Sequence, residues 1–249
     1  MKQLVTARIA AAAALVASVA AVAPTASLAQ TTVTANWVQT STQGPSPRVG
    51  PAMAYDLVDR KTVLFGGGGT SDTLGDTWQY DGTAWTQVPV SGPLGRTLAS
   101  MVYDSTRGVA VLFGGYNNGI RSDTWEWNGS AWNQRLTAHM PPARLWTAMT
   151  YDSARHIAVL FGGAPGSGLL NDTWQYDGND WTQVTTAHSP PARRGHGLAF
   201  DSARERVVLF GGQDPTGVNL NHTWEFDGTD WSQVTTAHSP SARLWHSMA

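Results

Sequence analysis

The chain has 249 residues, with 16 Lys and Arg against 18 Asp and Glu, and only 14% of its residues are charged. This low charge disfavours a disordered or coiled-coil chain, and the absence of cysteine excludes disulfides, thiolate zinc sites and cysteine nucleophiles. The 26 Gly, 13 Pro and 12 Trp favour many short strands joined by turns.

Residues 1–29 have the pattern of a secretory signal peptide. Lys2 and Arg8 provide a basic start, residues 9–23 form an apolar run, and Ala29 ends a small-residue cleavage site. The apolar run is shorter than the roughly 20 residues that span a bilayer, and no other stretch is apolar enough. We therefore expect a mature chain with no membrane span, in a secreted, periplasmic or cell-surface location.

The mature chain, residues 30–249, is mildly acidic. Loss of Lys2 and Arg8 leaves 16 − 2 = 14 basic residues against 18 acidic ones, a net charge of 14 − 18 = −4. Binding to nucleic acid requires a basic footprint, so nucleic acid is not expected as a partner.

A repeat of 47 to 50 residues organises the mature chain. Each copy has an Arg, an apolar run ending in Phe-Gly-Gly, and two Trp residues seven apart. Phe-Gly-Gly stands at residues 65–67, 113–115, 161–163 and 210–212. The Trp pairs are Trp78/Trp85, Trp125/Trp132, Trp174/Trp181 and Trp224/Trp231, and Trp37 precedes them. Such a period is typical of solenoids and propellers.

Each copy predicts four strands. The first follows the Arg, and the second is an unbroken apolar run that indicates burial on both faces. The Gly pair then ends the second strand, where a positive φ or a close backbone approach is needed. Asp-Gly or Asn-Gly pairs predict a hairpin between the third and fourth strands. Because a four-stranded meander cannot bury both faces alone, we predict an all-β propeller with Trp between neighbouring blades.

The order of the apolar run, the Gly pair and the spaced aromatic residues resembles that of kelch repeats over about residues 35–249. The motifs V-L-F-G-G, D-T-W and Y-D-G-x-x-W make the chain similar to exported bacterial kelch-repeat proteins. That resemblance implies a fold like the central propeller of galactose oxidase. WD-type propellers have a shorter period and a Gly-His and Trp-Asp signature, which this chain lacks.

Within residues 30–249, four complete blades are predicted at about 48–90, 96–137, 144–186 and 193–236. An outer strand at residues 35–40 and a partial blade at residues 243–249 are predicted at the two ends. We therefore expect an incomplete ring, with oligomerisation or further blades to cover the exposed sheet faces.

No catalytic residue, cofactor or metal site is predicted. Nearly all His and Tyr residues occupy repeated positions, as structural residues do. The resemblance to galactose oxidase raises the question of its copper radical site, but that site needs a Tyr cross-linked to Cys, and the chain has no Cys. A sialic acid epimerase activity needs only acid and base side chains, but no distinctive set can be identified.

Two features could bind a ligand. The first is a set of Arg residues, each before a first strand and near the predicted channel, with two Trp residues two positions after an Arg: Arg48, Arg96, Arg144, Arg193, Arg243, Trp146 and Trp245. This set predicts either an anion-binding rim or internal pairing of each Arg with a repeated Asp or with backbone carbonyls. The second feature is the variable loops after the Gly pairs, with Tyr116, Asn117, Asn118 and Arg121 as the most ligand-like set.

The sequence thus predicts a noncatalytic binding module of an exported protein, with a protein or a glycan at the cell surface as its partner. The alternative is a fragment of a carbohydrate-active enzyme, oxidase-like or epimerase-like, whose catalytic residues lie outside this chain.

Overall fold

The computed structural model describes residues 43–249 and the backbone of two short strands, β1 (Val5–Ala7) and β2 (Val33–Ala35). These two strands pair antiparallel and belong to a separate unit, residues 1–42. Apart from these strands, the predicted signal peptide and the predicted outer strand at residues 35–40 lie outside the described residues.

Residues 43–249 form a second unit, which contains four antiparallel sheets of four strands each. Blade 1 consists of β3 (Ala52–Asp56), β4 (Lys61–Gly68), β5 (Thr73–Tyr80) and β6 (Trp85–Val88). Blade 2 consists of β7 (Ser100–Asp104), β8 (Val109–Phe113), β9 (Thr124–Trp127) and β10 (Trp132–Arg135). Blade 3 consists of β11 (Ala148–Asp152), β12 (Ile157–Gly163), β13 (Leu170–Tyr176) and β14 (Trp181–Val184). Blade 4 consists of β15 (Gly197–Asp201), β16 (Arg206–Phe210), β17 (Thr223–Phe226) and β18 (Trp231–Val234).

The first strands of successive blades pack side by side: β3 contacts β7, β7 contacts β11, and β11 contacts β15. Each sheet is a simple meander in which consecutive strands are neighbours. Within the described part of the chain, β3 and β15 do not contact each other. The four sheets are therefore propeller blades in an unclosed ring, which confirms the predicted fold class.

The second strand of each blade lies in the core. The side chains of Val111, Phe113, Val159 and Phe161 are fully buried, because each blade covers a face of its neighbour. The unbroken apolar runs therefore mean burial on both faces, as predicted.

The Gly pair at the end of each second strand connects that strand to the next blade. Gly66 and Gly67 both have positive φ, and a Cβ atom on Gly66 would lie 2.5 Å from the carbonyl oxygen of Arg96. The amide of Gly67 donates a hydrogen bond of 2.8 Å to that same carbonyl. The same bond recurs from Gly115 to Arg144 and from Gly163 to Arg193, so only glycine fits this close approach.

Candidate functional site

Three of the predicted rim arginines are bound to aspartates of their own blades. Each Arg lies four residues before the first strand of its blade, and its guanidinium faces the Asp of the D-T-W motif at the third strand. The pairs are Arg48–Asp76, Arg96–Asp123 and Arg144–Asp172, with shortest N–O distances of 2.8, 2.5 and 2.7 Å. In each pair Nη1 and Nη2 donate to the two carboxylate oxygens, and Nη1 also donates to a Gly carbonyl of the same blade.

The guanidinium groups of Arg48, Arg96 and Arg144 are therefore already paired within the protein. Their side chains are 5%, 1% and 0% exposed, and a carboxylate of the protein already occupies each fork. For these three residues the hydrogen bonds favour the alternative interpretation, internal pairing with a repeated Asp and with backbone carbonyls.

The remaining two arginines differ from the first three. Arg193 is fully buried, but the residue at its D-T-W position is His222, and no Asp pairs with it. Arg243 is exposed and hydrogen-bonds to Ser241 through the Ser carbonyl and hydroxyl. The five arginines therefore do not form one rim of equivalent groups.

The pairing fixes the charge of the aspartates. Burial opposes ionisation of Asp123, but hydrogen bonds from Arg96 and Trp125 outweigh that effect and hold the pKa of this carboxyl below its ordinary value. The same balance, with Arg48 and Trp78 as donors, lowers the pKa of Asp76. These carboxylates are therefore ionised at neutral pH.

The two predicted rim tryptophans adopt the same backbone conformation in different surroundings. Trp146 and Trp245 both have a φ of 57°, in the left-handed region. Trp146 is half-buried, and the guanidinium carbon of Arg194 lies 4.7 Å from the centre of its ring. Trp245 is 69% exposed. Both line a cavity of about 690 Å³ between the segments that precede the first strands.

The predicted loop set is held in place by the backbone of its own blade. Tyr116 forms backbone hydrogen bonds with Thr97 in both directions. The side-chain amide of Asn117 donates to the carbonyl of Gly95, and Arg121 Nη2 donates to the carbonyl of Asn117 at 3.0 Å. Asn118 has a φ of 47° and is exposed. The Asn117 and Arg121 side chains therefore support the loop.

A cleft of about 770 Å³ lies among the loops of blades 2, 3 and 4. Tyr116 and Trp146 both line it, together with an apolar wall that includes Leu145 and Leu169. Asn117, Asn118 and Arg121 are not among its lining residues, nor is Trp245. The structure thus brings together one residue from each of the two predicted sets.

The cleft contains polar residues that the sequence analysis missed. Arg194 stacks on Trp146, and its Nη2 donates to Gln213 Oε1 at 2.8 Å. Asp214 also lines the cleft, and hydrogen bonds from Thr216 lower the pKa of its carboxyl. One signal was available in the sequence: the position of Arg194 holds Val49, Thr97, Leu145 and Leu244 in the other copies. An Arg at a repeat position that is uncharged in every other copy is a candidate ligand contact.

A protein-family model described as the KLHDC2/KLHL20/DRC7 Kelch-repeats domain matches residues 83–249. The chain belongs to the kelch-repeat family. No curated protein matches this kelch chain at a significant level.

Among residues 43–249 and the two short N-terminal strands, no group of three or more His, Asp or Glu side chains is placed to hold a metal ion. No helix in that part of the chain is long and apolar enough to cross a membrane.

Proposed function

We propose that this kelch chain is a noncatalytic binding module, and that it binds a protein or a glycan in the cleft lined by Tyr116, Trp146 and Arg194. The observation that carries the proposal is the guanidinium of Arg194 stacked on the Trp146 ring inside a cleft of about 770 Å³. Kelch repeats in general mediate interactions with proteins, which supports the same assignment.

The chemistry of the cleft suits a ligand with one flat apolar face and polar groups at its edge. The Trp146 ring and the Tyr116 side chain, which is 44% exposed, provide aromatic surface against which a sugar ring or an aliphatic side chain can pack. Arg194 retains donors beyond its two bonds to Gln213, and guanidinium groups bind carboxylates and hydroxyls with well-defined geometry. A volume of this size lies within the range of small-ligand sites.

The cleft proposal is tested with a glycan array and a peptide-display library, screened in parallel with the purified chain. Any ligand found is titrated against Trp146→Ala and Arg194→Leu, and we expect each variant to weaken binding by about tenfold or more. Trp245→Ala is the matched control, because Trp245 has the same backbone conformation and lies outside the cleft. Unchanged affinity in both cleft variants would contradict the proposal.

The noncatalytic part of the proposal needs a separate assay. Glycans that bind are incubated with the chain and examined for oxidation or epimerisation, the two activities of the alternative sequence interpretation. Binding without product supports a binding module. Product that accumulates in proportion to the concentration of the wild-type chain would instead show that the chain is a carbohydrate-active enzyme.

We also propose that the chain acts outside the cytoplasm, as an exported kelch protein of the bacterial type. The support is the basic start, the apolar run and the small-residue site within residues 1–29. Expression of the full chain in a Gram-negative host, followed by mass spectrometry of the periplasmic fraction, should give a protein that begins at Gln30. An intact Met1 chain confined to the cytoplasm would contradict this.

A further inference from the structure

Blade 4 lacks the carboxylate that every other blade places against its buried arginine. In blades 1 to 3, one carboxylate oxygen of the D-T-W Asp accepts from Arg Nη2 and also from the indole Nε1 of the next-but-one Trp. The Arg bonds measure 3.0, 2.8 and 2.7 Å, and the Trp bonds measure 2.6, 2.7 and 2.7 Å. One oxygen therefore satisfies two donors at the same place in three blades.

The corresponding donors of blade 4 have no acceptor. Arg193 Nη1 donates to the carbonyl of Gly211 at 2.9 Å and Nε donates to the carbonyl of Pro191 at 2.9 Å, just as in the other blades. Arg193 Nη2 and Trp224 Nε1, however, are buried and have no hydrogen-bond partner within residues 43–249. The Nδ1 atom of His222, which replaces the Asp, is likewise buried without a partner in this part of the chain.

The surroundings of Arg193 do not otherwise neutralise its charge. The side chain is fully buried, and burial lowers its pKa to about 10, while the carboxylate of Asp214 acts in the opposite direction. A buried guanidinium with an unused donor carries a desolvation penalty that an anion would offset.

We infer that blade 4 binds a small carboxylate anion in the place of the missing Asp side chain, held by Arg193 Nη2 and Trp224 Nε1. The imidazole of His222 contributes a third donor when its Nδ1 carries the proton. The chemical class follows from the other blades, where the group in this place is itself a carboxylate. This site is separate from the cleft of the proposed function and does not depend on it.

The site lies close to the surface of blade 4. In blades 1 to 3 the Asp side chains at this position are 20%, 24% and 15% exposed, and His222 is likewise half-buried. An anion in this place would therefore lie at the same partly exposed depth as the Asp carboxylates of the other blades. Of the five arginines predicted to bind anions, Arg193 alone is buried with an unused donor of this kind.

Formate, the smallest carboxylate, is the probe. The line width of ¹³C-formate is measured by NMR as purified chain is added, for the wild type and for His222→Asp at the same salt concentration. We expect saturable broadening with the wild type and none with His222→Asp, because the new carboxylate occupies the site. Equal broadening in the two proteins, or none in the wild type, would overturn the proposal.

The thermal midpoint provides an independent readout. Without formate, His222→Asp should melt above the wild type by about 4 °C or more, because it restores a buried ion pair. Added formate should raise the thermal midpoint of the wild type and leave that of His222→Asp unchanged, because only the wild type lacks a carboxylate at this site. A midpoint for His222→Asp at or below that of the wild type would show that His222 already satisfies Arg193, and the inference would fail.

Blade 3 offers a matched test in the opposite direction. Asp172→His reproduces in blade 3 the arrangement of blade 4, and in the His222→Asp background it should introduce formate broadening that is absent before the change. If the double variant folds and shows no broadening, the D-T-W position does not form an anion site and the inference is wrong. If it does not fold, the comparison of wild type with His222→Asp decides.

Discussion

The outer tryptophan of blade 1 and the outer tryptophans of blades 2 to 4 occupy the same repeat position but different environments. Trp132, Trp181 and Trp231 are 7%, 1% and 1% exposed, whereas Trp85 is only half-buried. The difference comes from the preceding blade. Each buried indole lies against the Phe of the blade before it, with ring centres 5.1 to 5.2 Å apart.

A polar contact follows the same rule. The indole Nε1 of Trp181 donates to Thr124 Oγ1 of blade 2 at 2.9 Å, and Trp132 and Trp231 make the same bond to the Thr of their preceding blades. Trp85 lies near Gly44 and packs on the ring of Tyr80 in its own blade, and this last contact recurs at the other three outer tryptophans. Burial of this tryptophan therefore depends on a neighbouring blade, as expected for a repeat protein whose stability resides in interfaces between neighbours.

The largest effect that separates the two environments is expected from removing the indole. Trp181→Ala should lower the free energy of unfolding by about 3–5 kcal/mol, because it leaves a cavity between blades 2 and 3. Trp85→Ala should cost about 1 kcal/mol, since its ring is not enclosed. Urea denaturation followed by circular dichroism measures both changes. Equal losses would mean that the packing between blades does not stabilise the unit formed by residues 43–249.

A somewhat smaller effect is expected from the buried ion pairs. Asp172→Ala leaves Arg144 buried and unpaired, and we expect a loss of about 2–4 kcal/mol, reduced from the fully buried case because the carboxylate is partly exposed. His222→Ala should cost much less, because Arg193 has no carboxylate to lose. The urea midpoints of the two variants test this, and similar losses would contradict the assignment of Asp172 as the partner of Arg144.

The pH dependence of the free energy of unfolding tests whether the same Arg–Asp pairs contribute to stability. The pKa of Asp123 is lowered in the folded chain, so its contribution is present above the unfolded pKa of about 4 and is lost as pH falls through the folded value. We expect the free energy of unfolding to decline below about pH 4, and more shallowly in Asp123→Asn. Urea titrations from neutral pH downward measure both slopes, and identical slopes would exclude Asp123 as a contributor.

The sequence predicted the fold well because the repeat exposes the period, the buried strands and the turns at once. The Phe-Gly-Gly motif marked the strand ends, and the positive φ of Gly66 and Gly67 confirms the reason given for them. The sequence also showed that His222 replaces an Asp. What it could not show was that this Asp is the partner of the Arg 27 or 28 residues earlier, because that contact spans two strands and a variable loop.

The site was harder to predict because its residues come from different blades. Tyr116 and Trp146 belonged to two separate predicted sets, and only the folded structure shows that both line one cleft. Arg194 was hidden by its position beside the repeated Arg193. Residues that depart from the repeat were the useful signal, but no repeat pattern specifies the direction in which such a side chain points.

The smallest effect is expected from His–Asp hydrogen bonds on the surface of the later blades. The Nδ1 atom of His139 lies 2.7 Å from Asp180 Oδ2, and hydrogen bonds from His139 lower the pKa of Asp180. Blades 1 and 2 have Ala84 and Ala131 in the position of Asp180, so a blade forms without this pair. Because the His139 side chain is largely exposed, solvent screens the interaction, and Asp180→Asn should leave the urea midpoint unchanged within error. A midpoint shift approaching that of Asp172→Ala would mean that surface pairs, and not the buried indoles and ion pairs, distinguish the later blades from the first.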